Sequence, residues 1–225
     1  MTGKKTAAVF WNEVCQALIR KYGRKRHPLN YKNTYQLWVM VILSAQTNDK
    51  LINSIAPDFF KSFPDIRALS KASYETVVKY LNKVRNFGNK TRWLLQSAIQ
   101  IKTDDRIPLT FEQLLKLPGI GRKSAHVIMY EHGLKPQGIM VDIHVLRVAP
   151  RLGMCKKGNP VQVERELLKA ISPQYHLQIG MALSHHGRAV CLAKSPLCEQ
   201  CLVQQYCNYH LNQSAPVSKK RISKS

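Results

Sequence analysis

With 225 residues, 44% of them hydrophobic, the chain is long enough to fill one large core or two smaller ones. Its 35 Lys and Arg exceed its 13 Asp and Glu by 22, and the excess is spread along the whole chain, which points to a polyanionic partner such as nucleic acid rather than to a basic surface kept for solubility. The longest apolar run, residues 37–43, is far too short to span a bilayer, and the opening Met1-Thr2-Gly3-Lys4-Lys5 lacks a signal-peptide core, so membrane insertion is not expected and an intracellular, reducing compartment is.

In chain order, apolar residues recur at helical spacing in Val9, Phe10, Val14, Ala17 and Leu18, and again in Leu51, Ile52, Ile55 and Phe59. Further helices are predicted over residues 74–83, 90–101, 111–115, 123–132, 161–171 and 177–186. Pro64, Gly88, Pro108, Pro118, Gly119, Gly133, Gly158, Pro160 and Pro173 punctuate them. No alternating strand pattern is present, so the expected fold class is all-α. Residues 212–225 mix Ser, Lys, Arg and Pro with few large apolar side chains and read as a disordered basic tail.

Three groups of residues carry chemistry. Leu117-Pro118-Gly119-Ile120-Gly121 lies between two helical patterns, and its glycines permit positive φ and a close approach of main-chain amides to a ligand. A helix beginning near Arg122 adds partial positive charge, which suits a phosphate, although a plain interhelical turn has the same composition. Lys123 follows; a helix start and the neighbouring Arg122 both favour a neutral, nucleophilic amine. Downstream, Asp142 in Val141-Asp142-Ile143-His144 is placed to cap a helix running toward Ala149, and a carboxylate there also stabilises positive charge developing on a sugar. His144 reads equally as a packed core residue.

The last group is Cys191, Cys198, Cys201 and Cys207, spaced C-x6-C-x2-C-x5-C, with Cys15 and Cys155 far away in sequence. Four thiolates this close together suit a metal better than disulfides, and the spacing alone admits zinc as well as iron–sulfur.

Taken in order, Leu43-Ser44-Ala45-Gln46, Leu117-Pro118-Gly119-Ile120-Gly121-Arg122-Lys123, Val141-Asp142-Ile143-His144-Val145 and the cysteine array resemble the endonuclease III family of helix-hairpin-helix DNA glycosylases, from about Phe10 to Tyr209. The resemblance implies a six-helix barrel lobe with the hairpin over residues 28–133, an iron–sulfur lobe formed by residues 1–27 and 134–211, and the tail at 212–225. It implies a [4Fe–4S] cluster on the four cysteines, which makes zinc the minor reading. It also implies a monomer acting on double-stranded DNA with damaged bases or abasic sites.

By the same resemblance Lys123 attacks the sugar C1′, Asp142 stabilises the cationic transition state, and β-elimination follows. A lysine at 123 distinguishes this chain from the adenine-removing and G·T mismatch branches and implies a bifunctional glycosylase and lyase acting on oxidised pyrimidines. Leu117, Gly119, Gly121 and Arg122 would bind the DNA backbone, Lys194 would face phosphate, and Gln46 and His144 match gap-filling positions.

The chain departs from the pattern at Asn86, where an aliphatic wedge is expected, at Ile143, where threonine is usual, and at Pro150, where asparagine is common. Asn86 opens a second reading, an abasic-site lyase or narrow-range glycosylase, and a third class is a noncatalytic iron–sulfur DNA-binding protein, against which the retention of Lys123 and Asp142 argues.

Overall fold

In the computed structural model, which describes residues 7–23, 25 and 27–214, five helices begin where a short polar side chain turns back onto the first-turn amides. Asn33, Asn48, Asp65, Ser73 and Asn159 each accept a hydrogen bond from an amide two or three residues on. Asn159 and Gln162 complete a reciprocal capping box.

The α-helices of the described residues are α1 (Ala7–Tyr22), α2 (Thr34–Ser44), α3 (Asp49–Ser62), α4 (Ile66–Ser70), α5 (Tyr74–Leu81), α6 (Phe87–Ile101), α7 (Phe111–Leu114), α8 (Arg122–Glu131), α9 (Val145–Leu152), α10 (Pro160–Ala170), α11 (His176–Ala189) and α12 (Asn208–Ser214). Among the described residues there is no strand, so the chain is all-α as its periodicity indicated. No described helix is long and apolar enough to cross a membrane.

The chain divides into two units, Lys25–Gln137 and the pair Met1–Arg24 with Gly138–Ser225. In the first, α2 packs against α3, α6 and α8, while α4 and α5 lie on α6 and α7 lies on α8. Helix α2 buries Tyr35 and every residue from Leu37 to Leu43. It is a central helix, apolar on all sides.

In the second unit α11 packs on α1 and α9, and α10 reaches both α1 and α9. Its core includes Val14, Leu18, Val145, Val148, Ile179 and Leu183. Cys15 is fully buried in this core, and burial pushes its thiol up to about 12. Gly180 lets α11 close on the segment leading to Asp142, since a Cβ there would lie 2.4 Å from the Met140 carbonyl oxygen and 2.9 Å from its amide nitrogen.

Several elements depart from the sequence reading, among them the short α4, for which it has no helix. Helix α2 was absent from it, because a continuously apolar run has no 3.6-residue period to detect. Helix α12 extends to Ser214, so the first residues of the segment expected to be disordered are helical, and 215–225 lie outside the described residues.

A methyl group at position 180 has backbone, not a flexible side chain, in its way. Gly180→Ala is therefore expected to lower stability by about 1–3 kcal/mol despite its better helix propensity, as read from urea unfolding. An unchanged or raised midpoint would mean that α11 does not need this close approach.

Candidate active site and thiol cluster

The Lys25–Gln137 unit holds the hairpin. Gly119 has φ +82°, and a Cβ there would meet the Trp93 ring at 2.7 Å and Ile42 at 3.3 Å, so the turn is seated directly on α6 and α2. Leu117 is buried beneath the same turn. Gly121 differs from its expected conformation: its φ is −97°, an ordinary extended value, and no atom lies within 4 Å of a built Cβ. Its role is openness, because it stands at the start of α8 and supplies no side-chain cap to the helix amides.

Arg122 and Lys123 are exposed on the first turn of α8. The Arg122 guanidinium lies 4.9 Å from the Phe111 ring centroid, and Phe111 in turn stacks on His126 at 4.6 Å. That aromatic base fixes the basic end of the helix.

In the same unit, Gln46 and Asn86 are both exposed and both adopt the left-handed backbone region, with φ of 56° and 59°. Gln46 follows the end of α2. Asn86 precedes α6, and its side-chain oxygen accepts from Asn89 Nδ2 at 3.1 Å. Helix α6 begins at Phe87, three residues before the start expected at Lys90, without a side-chain cap from Asn86.

The other unit holds Asp142, which is 6% exposed. Its Oδ1 accepts from the amides of His144 and Val145, both at 2.9 Å, so the carboxylate caps α9 as its sequence position suggested. Its Oδ2 accepts from the Ser184 hydroxyl of α11 at 2.7 Å. Ser184 was not found in the sequence, because it lies 42 residues away and no motif marks it. Ile143, between Asp142 and His144, is 73% exposed.

His144 is half-buried, and its Nδ1 lies 3.1 Å from Arg147. The same guanidinium donates to the carbonyls of Gly187 at 2.8 Å and Cys191 at 3.0 Å. Pro150 lies inside α9, which nonetheless continues to Leu152 and ends on Gly153 with φ 98°.

The four cysteines Cys191, Cys198, Cys201 and Cys207 line one small pocket, together with Arg151, His186 and Tyr209. All are free thiols. Burial and the backing of Cys207, Cys191 and Cys198 raise Cys201 to about 11, with a hydrogen bond at Val203 opposing; the Cys198 thiol is raised likewise, by burial and by Cys207 and Cys191.

Four sulfurs gathered around one pocket fit a group that brings positive charge, and an iron–sulfur core does so. Arg151 donates to the carbonyls of Leu192 at 2.6 Å and Ala193 at 2.8 Å, which fixes the start of the loop. His186 Nε2 lies 3.5 Å from Cys201 Sγ, and burial pushes the imidazole down to about 4. Neither Arg151 nor His186 stood out in the sequence. Lys194 is exposed on the loop between the first two cysteines, and Cys155 is half-buried and lies outside this group.

Residues 39–173 match the model of the HhH-GPD superfamily of base excision DNA repair proteins, and residues 191–207 match the iron–sulfur binding domain of endonuclease III. The second match begins and ends on the outermost cysteines of the array. Endonuclease III of Synechocystis sp. is 33% identical over 209 residues, covering 92% of this chain and 94% of its own, and that of Rickettsia prowazekii is 32% identical over 207 residues, covering 91% and 97%.

Among solved structures, a trapped covalent intermediate of endonuclease III with DNA superposes with a TM-score of 0.81 at 25% identity, over 94% of this chain and 100% of that one. A thermostable thymine-DNA glycosylase shares the fold at a TM-score of 0.74 and 18% identity, over 91% and 98%.

The Ser184 hydroxyl reaches a buried carboxylate from a different helix. Removing it in Ser184→Ala should cost about 1.5–3 kcal/mol of stability, the usual value of a hydrogen bond to a charged group, in urea unfolding at neutral pH. A loss below about 0.5 kcal/mol would show that Asp142 is held by its own helix alone.

Proposed function

The chain belongs to the HhH-GPD superfamily of base excision DNA repair proteins, as a DNA glycosylase of the endonuclease III family with a [4Fe–4S] cluster, and we propose that it is bifunctional, excising oxidised pyrimidines and nicking the strand through Lys123. The observation that carries this reading is an exposed amine on the first turn of α8, directly after an uncapped, glycine-opened hairpin.

In the proposed sequence of steps, phosphate rests against the amides at Gly119 and Gly121 and beside Arg122, with Lys194 meeting phosphate elsewhere on the strand. The damaged nucleoside leaves the stack, at least cost where its pairing is already weak, and Gln46, Asn86 and His144 contact the space it leaves. The Lys123 Nζ attacks C1′ as the bond to the base breaks, and the base departs with the bonding pair and a proton.

The Asp142 carboxylate, held by two amides and Ser184, stabilises the positive charge that builds on the sugar during this step. Opening of the sugar ring gives an imine between Nζ and C1′. Loss of a proton from C2′ expels the 3′ phosphate, and hydrolysis of the imine restores the amine.

Cys191, Cys198, Cys201 and Cys207 hold the cluster in this reading. When bound, the cluster cross-links the four thiolates and so fixes a segment that contains only short helical turns between α11 and α12. Residues 28–133 would then act as the hairpin lobe and residues 134–211 with the N-terminal helix as the cluster lobe.

A narrower lesion range is favoured by one feature. Asn86 presents an exposed amide in place of an apolar wedge, and an amide recognises a base by hydrogen bonding rather than by filling space.

Borohydride reduces an imine to a stable amine, so the protein incubated with an abasic-site duplex and with a thymine glycol duplex should yield a covalent adduct on both. Lys123→Ala should lower the yield at least about a hundred-fold while leaving DNA affinity within about three-fold. Adduct formation that survives the substitution would place the nucleophile elsewhere.

A further inference from the structure

Lys90 is a full lysine side chain buried to 1% exposure on the first turns of α6. Its ammonium donates to the carbonyls of Leu43 at 2.7 Å and Ala45 at 2.6 Å and to the Thr47 hydroxyl at 3.0 Å. Leu43 and Ala45 lie at the C-terminal end of α2, where carbonyls have no partner within the helix and carry partial negative charge. The three acceptors bracket Gln46.

At its other end, Lys90 is anchored beside Asn86, whose carbonyl accepts from the Lys90 amide at 3.1 Å. One residue therefore joins two of the three described non-glycine positions with positive φ, Gln46 and Asn86, the third being Lys102 at the end of α6. Such conformations cost on the order of 1–3 kcal/mol and persist where surrounding contacts over-determine them. The side-chain bonds of Lys90 supply that restraint at Gln46.

The geometry points to Lys90 as a positioning residue that fixes the Gln46 turn relative to the Asn86 turn, so that the two side chains enter the duplex as one rigid pair. The inference rests on the reading of Gln46 and Asn86 as DNA-contact residues.

Burying an ammonium is costly, and a packing role alone would be filled better by methionine or leucine. Burial, with a smaller push from the nearby Arg85, brings the amine down to about 8, so at neutral pH it stays protonated and keeps three donors for its three oxygens. The charge is retained against its cost at the one place where the three carbonyl and hydroxyl acceptors of the Gln46 turn converge.

The test uses the full-length protein and a duplex with a tetrahydrofuran abasic analogue opposite 2-aminopurine, whose fluorescence reports disturbance of the opposite base with no chemistry at C1′. Wild type, Lys90→Met, Gln46→Ala and the double variant form a cycle. Wild type should raise the fluorescence, each single variant should lower the population of the inserted state about ten-fold, as for loss of one hydrogen bond to a charged group, and the double variant should be no worse than Gln46→Ala.

Thr47→Val, which removes one acceptor and keeps the side-chain shape, should shift the signal in the same direction, and it keeps the test open if Lys90→Met does not fold. Equal fluorescence in wild type and both Lys90→Met and Thr47→Val, losses that simply add in the double variant, or no response in wild type would overturn the inference. Imine trapping by wild type on a natural abasic site is scored separately: its absence beside an intact cycle removes the proposed lyase chemistry and leaves the positioning role standing.

Discussion

An α-helix leaves its first amides and last carbonyls without partners inside the helix, and the residues of the proposed chemistry sit at such ends. At the start of α8, Gly121 brings no side-chain cap to the first-turn amides beside Lys123. At the start of α9 the choice is reversed, and Asp142 takes the amides for itself. At the end of α2 a lysine from another helix satisfies the carbonyls. The last two ends meet the requirement with an internal carboxylate and an internal ammonium, and the first is where the proposed phosphate contact would meet it with an external anion.

The thiol cluster solves a different problem. The chain after α11 has only short helical turns until α12, yet Val203 is fully buried and Cys207 nearly so in the core of this unit. Packing thus sets the four thiols around one pocket, where a bound metal would add further order. Arg151 and His186 come from the helical core beside it and carry that order back into α9 and α11.

Local features were legible in the sequence and tertiary ones were not. The Asp142 cap was readable because its amide partners lie two and three residues on, and α3, α5 and α10 were readable because one face of each is apolar. Helix α2 was hidden by its own burial, since a segment apolar on every side shows no period. Ser184 and Lys90 were hidden for another reason: each acts on a partner more than forty residues away, and a serine or lysine in a helix carries no sign of that. Gly121 was legible as a glycine needed by the hairpin, but its use is open space rather than an unusual φ.

Covalent attack of the Lys123 amine on the sugar is read by peptide mapping, with mass spectrometry, of the borohydride-reduced adduct on an abasic duplex. The sugar remnant is expected on the peptide containing Lys123 and on no other lysine. A remnant on a different lysine, with the Lys123 peptide unmodified, would contradict it.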